Sequence, residues 1–255
     1  MADYAVEVLA EDAMLLRFGD GIDVATNARV HAAADAVRAA NLPGIIDVAP
    51  AYATLLLRFD AFAWLDKNGI DKLPHERLAE MLHTLFRGAE TKTLDPGLRR
   101  GDEQKNAVAL REAARTIEIP VCYGREYGLD LDAVAEHAGL SRDEVIARHV
   151  AAEYTVAMLG FAPGFPYLLG LDASLHVPRR ANPRTRVPAG SVAIGGAQTG
   201  IYPRELPGGW HLIGRTPLTL FDPAREPPCL LAPGDHVRFR AIEADEFARL
   251  AERDA

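Results

Sequence analysis

The chain has little of several features that would indicate a particular class of protein. Its two cysteines, Cys122 and Cys229, are too few for a disulfide framework or for a zinc site built on thiolates. No apolar run approaches the roughly 18 residues that a membrane-spanning helix needs. The start of the chain carries acidic residues where a secretory leader would carry basic ones. We therefore expect a cytoplasmic protein with reduced thiols and no membrane partner.

Positive charge and standard motifs are also scarce. The net charge is −8, from 28 lysines and arginines against 36 aspartates and glutamates, which argues against nucleic acid as a partner. The motifs GxxxxGK[ST], HExxH and GxSxG are missing, as is GxGxxG after an early strand. A nucleotide would therefore not be held by a Walker-type loop of this chain, and we expect no metal site in it.

Residues 160–215 are what the sequence offers instead. Glycine and proline recur there every few residues, with polar and aromatic side chains between them. Proline fixes its own φ, and glycine permits angles and close approaches that other residues cannot make. The segment therefore predicts a surface of tight turns, which is typical of a ligand-binding site.

Four arginines in this segment form a local positive cluster that neighbouring prolines stiffen. Guanidinium groups bind carboxylates and phosphates through paired hydrogen bonds, so the cluster favours a small anion as ligand. A solvated charged loop is the alternative interpretation. The arginines are Arg179, Arg180, Arg184 and Arg186.

Two further stretches carry groups that can orient a carbonyl. Residues 195–203 combine glycine amides with Gln198, Thr199 and Tyr202, a set that suits a carbonyl, amide or carboxyl group. The alternative is that these side chains only stabilise turns. Trp210 follows two glycines and is either a wall of the site or an anchor in the core.

Two histidines near these stretches are candidates for proton transfer. His149 lies close to a predicted junction of helix and strand, and His211 follows Trp210. A lone histidine more often packs or caps, and that interpretation stays open for both.

The first part of the chain alternates strand and helix patterns. From the second strand onward the order is βαββαβ, the split pattern of ferredoxin-like domains. We therefore predict an N-terminal α/β domain made of residues 1–87 and 116–128. Its predicted strands are residues 4–9, 13–18, 45–49, 55–59 and 116–121, and its predicted helices are residues 22–40 and 74–86.

Residues 88–115 interrupt this pattern. They combine many charges with a Pro-Gly turn and little apolar periodicity, which predicts a disordered insertion without a role in function. A basic docking loop around Arg99 and Arg100 is the alternative.

The rest of the chain is predicted to hold a helical connection and a β-rich domain. Residues 129–152 contain two short helices, the second opened by a capping-box sequence at Ser141 and Glu144. Over residues 153–250 the pattern changes to short strands separated by turns, which is typical of a closed β-barrel. The predicted strands are residues 154–159, 190–194, 210–215, 218–221 and 236–241.

The chain also contains a specific set of strings: MLGFAPGFPYL, VPAGSV, GAQTGIYP, PGGWHLIGRTP, LFDP and LLAPGDHVRF. Together with IPVCYGREYGLDL at residues 119–131, they resemble the KipI family, also called allophanate hydrolase subunit 1 or the B subunit of 5-oxoprolinase. The resemblance extends from the first strand to about Phe247, apart from the insertion. It implies an α+β fold, in which a small N-terminal α/β domain, ferredoxin-like by the pattern above, precedes a C-terminal cyclophilin-like β-barrel.

The resemblance also implies an activity. It points to one component of an ATP-dependent 5-oxoprolinase, a hydrolase that opens the cyclic amide of 5-oxoproline to give L-glutamate. The implied partners are a KipA-like protein (the C subunit of 5-oxoprolinase) and a LamB/YcsF-like protein (its A subunit), with ATP bound by the complex and this chain inactive alone. The alternatives are a KipI-type inhibitor of a sensor histidine kinase and a subunit of an allophanate or urea carboxyltransferase-type enzyme.

The residues and the resemblance together give a set of candidate site residues, which we expect to line a cleft of the barrel. Arginines would hold the substrate anion, and Gln198 would polarise its carbonyl. The candidates for catalysis are Gln198, Tyr202 and His149, and those for substrate binding are Arg179, Arg184, Phe165, Ser191, Thr199, Trp210 and Arg215.

Overall fold

The structure, a computed structural model, describes residues 4–65, 72–93 and 115–254, with the side chains of residues 88–93 and 254 left aside. The chain divides into two compact units, Met1–Ala113 and Ala114–Ala255. Each unit has its own apolar core. In the described ranges no helix combines the length and the apolar character that crossing a membrane requires.

The first unit is an antiparallel sheet packed against helices. Its elements are β1 (Ala5–Ala10), β2 (Ala13–Arg17), α1 (Val24–Ala40), β3 (Ile45–Pro50), β4 (Thr54–Phe59), a 3-10 helix (Ala61–Trp64) and α2 (Pro74–Thr93). The strands lie in the order β1-β2-β4-β3, and every neighbouring pair is antiparallel. Alternate residues of β2 and β4 are buried against the apolar positions of the two helices, as the period-2 and period-3.6 patterns predict.

The helix boundaries of this unit follow from local chemistry. Asp23 is the N-cap of α1, and its Oδ1 accepts a hydrogen bond of 2.8 Å from the Thr26 amide. Asn41 ends the same helix in the left-handed conformation at φ 44°. Helix α2 begins at Pro74, as predicted, because the first turn of a helix does not need the missing amide.

The predicted last strand of this unit lies elsewhere. β5 (Thr116–Tyr123) belongs to the second unit, where it pairs with barrel strands instead of completing a βαββαβ sheet. Four consecutive residues of β5, Ile119–Cys122, are buried, which suits a strand covered on both faces. The local pattern therefore predicted the strand correctly but assigned it the wrong sheet.

The second unit confirms the predicted closed β-barrel. Its elements after β5 are α3 (Leu131–Ala138), α4 (Arg142–Ala151), β6 (Tyr154–Leu159), β7 (Pro166–Leu169), a 3-10 helix (Ala173–Leu175), β8 (Arg184–Val187), β9 (Ser191–Gly195), β10 (Gln198–Ile201), β11 (Leu206–Gly208), β12 (His211–Arg215), β13 (His236–Ala241) and α5 (Ala244–Asp254). Seven strands close the barrel in the order β10-β7-β6-β13-β5-β12-β9, and β8 pairs with β11 in a separate ribbon. Predicted strand 218–221 contributes only a bridge between Phe221 and Cys229.

One set of alternating side chains fills the barrel interior. Val192 and Ile194 of β9, Ile201 of β10 and Leu168 of β7 belong to a single buried apolar cluster. Because successive side chains of a strand point to opposite faces, the residues between them lie on the outside of the barrel. The strands therefore offer two chemically distinct surfaces.

The two helices predicted to connect the domains belong to the second unit. They lie between β5 and β6 along the chain, and their apolar residues Leu131, Val134 and Val145 pack into the same cluster as the barrel interior. The predicted capping box is present. The Glu144 amide donates to Ser141 Oγ at 3.2 Å, and the Ser141 amide donates to Glu144 Oε2 at 2.8 Å. The helices are thus a crossover between barrel strands.

Only the two ends of the predicted insertion, residues 88–93 and Arg115, are described. Helix α2 continues to Thr93, seven residues beyond its predicted end at Phe86. The rest of the predicted insertion up to residue 114, including Arg99 and Arg100, lies outside the described residues.

Candidate functional site

Four aromatic side chains cluster on the outside of the barrel, over β7, β9, β10 and β12. Tyr167 lies directly opposite Gly200 in the β7–β10 ladder, next to the interior pair Leu168 and Thr199, so its side chain is on the outer face. Phe165 and Trp210 belong to the same outer cluster. We call this set, Phe165, Tyr167, Tyr202 and Trp210, the aromatic face.

The rings of the aromatic face pack edge to face, except Phe165 and Tyr167, whose planes are tilted by 54°. The ring centroid of Phe165 lies 4.9 Å from that of Tyr167, 5.1 Å from that of Tyr202 and 5.8 Å from that of Trp210. The positive edge of one ring attracts the negative face of the next, and these contacts hold the rings in fixed positions. Phe161, which is 60% exposed, extends the cluster, with its ring centroid 5.4 Å from that of Phe165.

Glycines make room for these rings. A Cβ at Gly195 would lie 2.7 Å from three atoms of the Trp210 indole, and one at Gly200 would lie 3.1 Å from both the Trp210 and the Phe165 rings. A Cβ at Gly208 would lie 2.1 Å from the hydroxyl oxygen of Tyr202. The glycine spacing of residues 195–209 thus allows aromatic rings to lie directly on the backbone of the barrel.

Gln198 places a polar group beside the rings. It lies directly opposite Gly195 in the β9–β10 ladder, which puts its side chain on the outer face, where the Trp210 indole covers Gly195. Gln198 is 7% exposed, and among the described residues its Nε2 has no hydrogen-bond partner. A buried donor without a partner costs free energy unless a ligand supplies an acceptor.

Arg179 supplies a cation at the same place. Its guanidinium carbon lies 5.6 Å from the centroid of the Trp210 ring, within the range of a cation–π interaction. Arg179 is itself exposed, and no carboxylate in the described part of the chain pairs with it. Its guanidinium is therefore available to an anion.

The other three arginines of the cluster are engaged. Arg180 Nη1 donates to Asp130 Oδ1 at 2.7 Å, and Arg184 bonds both oxygens of Asp130, at 2.7 and 2.8 Å. Arg186 lies 3.6 Å from Glu205 at the surface. Arg184, a predicted substrate ligand, thus differs from Arg179: the guanidinium of Arg184 is already bonded to the carboxylate of Asp130.

Asp130 is a residue that the sequence interpretation missed. It is 5% exposed, and its Oδ2 also accepts a hydrogen bond of 2.8 Å from the Leu212 amide. Burial by itself raises the pKa of this carboxyl, but the hydrogen bonds from Arg184 and Leu212 and the charges of Arg184 and Arg180 bring the pKa below its usual value. Asp130 is therefore ionised at neutral pH.

Tyr202 is buried within the aromatic face, as are Phe165 and Trp210. Burial raises the pKa of its phenol, an effect that a hydrogen bond from the Trp210 amide opposes. The hydroxyl is therefore neutral at physiological pH, and the phenol packs directly against Gly208. This arrangement stabilises the face and does not provide a base.

His149 and Thr199 lie inside the barrel. Thr199 Oγ1 donates to the Ala193 carbonyl at 3.0 Å, so the His149 Nε2–H donates to Thr199 Oγ1 at 3.1 Å and His149 Nδ1 accepts from the Tyr123 hydroxyl at 2.9 Å. His149 is fully buried and stacks on Phe239 with ring centroids 4.5 Å apart. A side chain in this position supports the barrel wall and does not reach a ligand on its outer face.

The stability of the protein should fall as the pH drops below about 6.5, because His149 then ionises in the unfolded state but stays neutral in the folded state. Burial lowers the pKa of His149 to about 3, whereas its ordinary value is about 6.5. Between these values the unfolded state binds one proton more, so the free energy of unfolding should decrease by about 1.4 kcal/mol per pH unit below pH ~6.5 through this group alone. Denaturant unfolding of wild type and His149→Gln at pH 7, 6 and 5 measures the difference in slope.

NMR offers a second measurement of the same prediction. The imidazole resonances of His149 should not titrate between pH 7 and about 4.5. A normal titration midpoint near 6.5 would contradict the buried neutral ring.

Ser191 and Arg215 occupy the outer surface of the neighbouring strands. They lie directly opposite each other in the β9–β12 ladder. Ser191 is 1% exposed, and Arg215 Nε donates to the Ala189 carbonyl at 2.7 Å. Arg215 is thereby held against the backbone.

The predicted site residues thus fall into separate groups. The structure brings together Phe165, Trp210 and Gln198, with Arg179 at their edge. His149 and Thr199 lie on the opposite face of the same strands. Among residues 4–65, 72–93 and 115–254, no cluster of three or more histidine, cysteine, aspartate or glutamate side chains could hold a metal ion.

Comparison with known proteins gives a consistent result. Residues 4–231 match the family described as carboxyltransferase domain, subdomain C and D. The chain is 41% identical over 244 residues to the 5-oxoprolinase B subunit of Bacillus subtilis, covering 96% of this chain and 95% of that protein. It is 55% identical over 155 residues to the 5-oxoprolinase B subunit of Escherichia coli O157:H7, covering 61% of this chain and 71% of that protein.

A solved structure supports the fold. The crystal structure of TTHA0988 superposes with a TM-score of 0.70 at 39% identity and covers 91% of this chain. The match covers 40% of the TTHA0988 chain. The chain therefore corresponds to less than half of that larger protein.

Proposed function

Because the chain belongs to the carboxyltransferase subdomain C and D family, we propose that it is the B subunit of a 5-oxoprolinase. The observation that carries this proposal is the identity of 41% over 95% of the B. subtilis protein. A relationship of that extent includes both units and the whole aromatic face. The activity is hydrolysis of a cyclic amide to a free amino acid, carried out by a complex of which this chain is one part.

The complex is proposed to contain a KipA-like and a LamB/YcsF-like subunit. Opening the stable lactam of 5-oxoproline to L-glutamate is coupled to ATP hydrolysis, and the sequence of this chain has no phosphate-binding loop. We therefore assign ATP binding to the complex and expect no turnover by the chain alone. A reaction that consumes ATP also fits a cytoplasmic location.

The aromatic face is the proposed substrate site in this chain. 5-Oxoproline has a small ring, a carboxylate and an amide carbonyl. Arg179 is exposed and offers its guanidinium to the carboxylate. Gln198 Nε2 is buried and unpaired among the described residues, and it donates to the carbonyl oxygen when the substrate ring enters beside the Trp210 indole. Aromatic rings beside the substrate exclude water, so these polar contacts act in a low dielectric.

The remaining candidate residues take supporting roles in this proposal. Tyr202 anchors the aromatic face through the edge-to-face contact of its ring with Phe165. His149 and Thr199 support β10, the strand that carries Gln198. In the activated lactam, negative charge grows on the carbonyl oxygen, and a fixed donor such as Gln198 stabilises that charge more strongly than it stabilises the ground state.

Reconstitution tests the proposed function. Glutamate formed from 5-oxoproline and ATP is measured with purified KipA-like and LamB/YcsF-like proteins from the same source, with and without this chain. We expect turnover only when all three proteins are present.

Three other outcomes would redirect the proposal. Unchanged turnover without this chain would remove it from the enzyme. An assembled complex that does not turn over 5-oxoproline would indicate another amide or carboxyl substrate. Failure to assemble would favour the kinase-inhibitor alternative.

A further inference from the structure

Asp130 joins three separate parts of the second unit. It precedes α3, its backbone amide donates to the Leu212 carbonyl at 2.8 Å, and its Oδ2 accepts from the Leu212 amide at 2.8 Å. Its carboxylate also receives the three guanidinium hydrogen bonds from Arg180 and Arg184. The carboxylate is thereby fully occupied within the protein.

Asp130 holds residues 178–184, which we call the arginine segment. The start of this segment, residues 178–180, runs antiparallel to residues 209–211, the Trp210 segment. The Arg180 amide donates to the Gly209 carbonyl at 2.8 Å, and His211 Nε2 donates to the Pro178 carbonyl at 3.0 Å. These bonds lie on either side of Arg179 and on either side of Trp210. Arg179 is therefore placed directly opposite Trp210, where its guanidinium lies over the indole ring.

We propose that Asp130 is a positioning residue that fixes Arg179 over Trp210 and so determines the affinity of the aromatic face for a carboxylate ligand. Asp130 does not touch the ligand in this arrangement. It pairs with the guanidinium groups of Arg180 and Arg184 and anchors the segment at these two residues. Arg179, which is exposed and pairs with no carboxylate among the described residues, faces outward over Trp210. This inference rests on the proposed function only for the identity of the carboxylate, 5-oxoproline.

The chain contains a matched control for this role. Asp235 is 6% exposed, close to the 5% of Asp130. It also pairs with an arginine, Arg115, at 2.6 Å, and it also accepts a backbone hydrogen bond, from Ala232 at 2.8 Å. Replacing either aspartate with asparagine removes a buried charge with the same kinds of partners, but only Asp130 is bonded to the arginine segment.

The first experiment measures steady-state kinetics of the reconstituted complex. Asp130→Asn should raise KM for 5-oxoproline by about tenfold or more with kcat within about twofold, since the substitution weakens a binding contact. Both substitutions should lower the melting temperature by about the same amount, but Asp235→Asn should leave KM unchanged. Equal KM values for the two variants would overturn the proposal.

A double substitution tests whether Asp130 acts through Arg179. If it does, the double variant Asp130→Asn/Arg179→Ala should have a KM within about twofold of that of Arg179→Ala alone, because Asp130 has no further effect on binding once the Arg179 contact is gone. Multiplying effects would show that Asp130 influences binding by another route and would overturn the assignment.

Fluorescence provides a test that does not depend on the substrate. Trp64→Phe leaves Trp210 as the sole tryptophan, since the chain has 2. In that background Asp130→Asn should increase acrylamide quenching of Trp210 by about twofold or more, because the arginine segment no longer covers the buried indole, and Asp235→Asn should not. Unchanged quenching in Asp130→Asn would refute the positioning role of Asp130, whatever the substrate. Increased quenching in Asp130→Asn together with a wild-type complex that does not turn over 5-oxoproline would refute the proposed function alone.

Discussion

Replacing Arg179 with alanine is expected to lower kcat/KM for 5-oxoproline roughly 30- to 150-fold, mainly through KM. This corresponds to about 2 to 3 kcal/mol, the usual contribution of a hydrogen bond to a charged group. The guanidinium lies 5.6 Å from the Trp210 ring centroid and has no carboxylate partner in the described residues, so the loss should appear in substrate affinity. The measurement is steady-state kinetics of the three-protein complex.

Arg186 is the matched control for this substitution. It belongs to the same arginine cluster, its side chain is 82% exposed, and its ion partner is Glu205 at 3.6 Å. Because exposed ion pairs contribute little, Arg186→Ala should change kcat/KM by less than about twofold. Equal losses for the two variants would indicate a general electrostatic effect of the segment and would remove Arg179 from the site.

The substitution Gly208→Ala is expected to abolish most activity while its neighbour Gly209→Ala retains it. A Cβ at Gly208 would lie 2.1 Å from the Tyr202 hydroxyl oxygen and 2.8 Å from its ring carbon. The phenol must then leave its position, and its ring loses the edge-to-face contact with Phe165. We expect a loss of about 1 to 3 kcal/mol in the free energy of unfolding and at least a tenfold drop in kcat/KM.

Gly209→Ala is the matched control for Gly208→Ala. It adds a methyl group to the same turn without a clash with Tyr202. A Cβ there would have its nearest neighbour at 3.5 Å, an ordinary van der Waals contact with Pro183. Gly209→Ala should therefore change stability by no more than about 0.5 kcal/mol. Denaturant unfolding and kinetics of both variants test the pair, and tolerance of Gly208→Ala would show that Tyr202 is not fixed as described.

Local patterns in the sequence identified many elements of the fold. The strands Tyr154–Leu159 and His236–Ala241 have the bounds that their alternation and flanking turns predict. Such patterns do not carry the identity of a distant partner. β5 pairs in parallel with β13, with Thr116 opposite His236, and only the completed barrel shows that this strand belongs to the second unit.

The candidate site was predictable to a similar extent. Arg179, Gln198 and Trp210 were recognisable because glycines, prolines and polar groups concentrate around them. Asp130 was not, because an aspartate before a helix is an ordinary N-terminal feature and its arginine partners follow 50 and 54 residues later. His149 fitted both catalysis and packing in the sequence, and burial inside the barrel favours packing.

The pairing of β5 has a consequence for how the protein is made. β5 is synthesised first among the barrel strands, but both of its neighbours, β12 and β13, are synthesised last. Contacts between such distant segments form slowly, because the intervening chain must be ordered first. While the ribosome is still translating the intervening strands, β5 has two unpaired edges that can associate with other nascent chains. The barrel therefore closes only when Ala241 has left the ribosome.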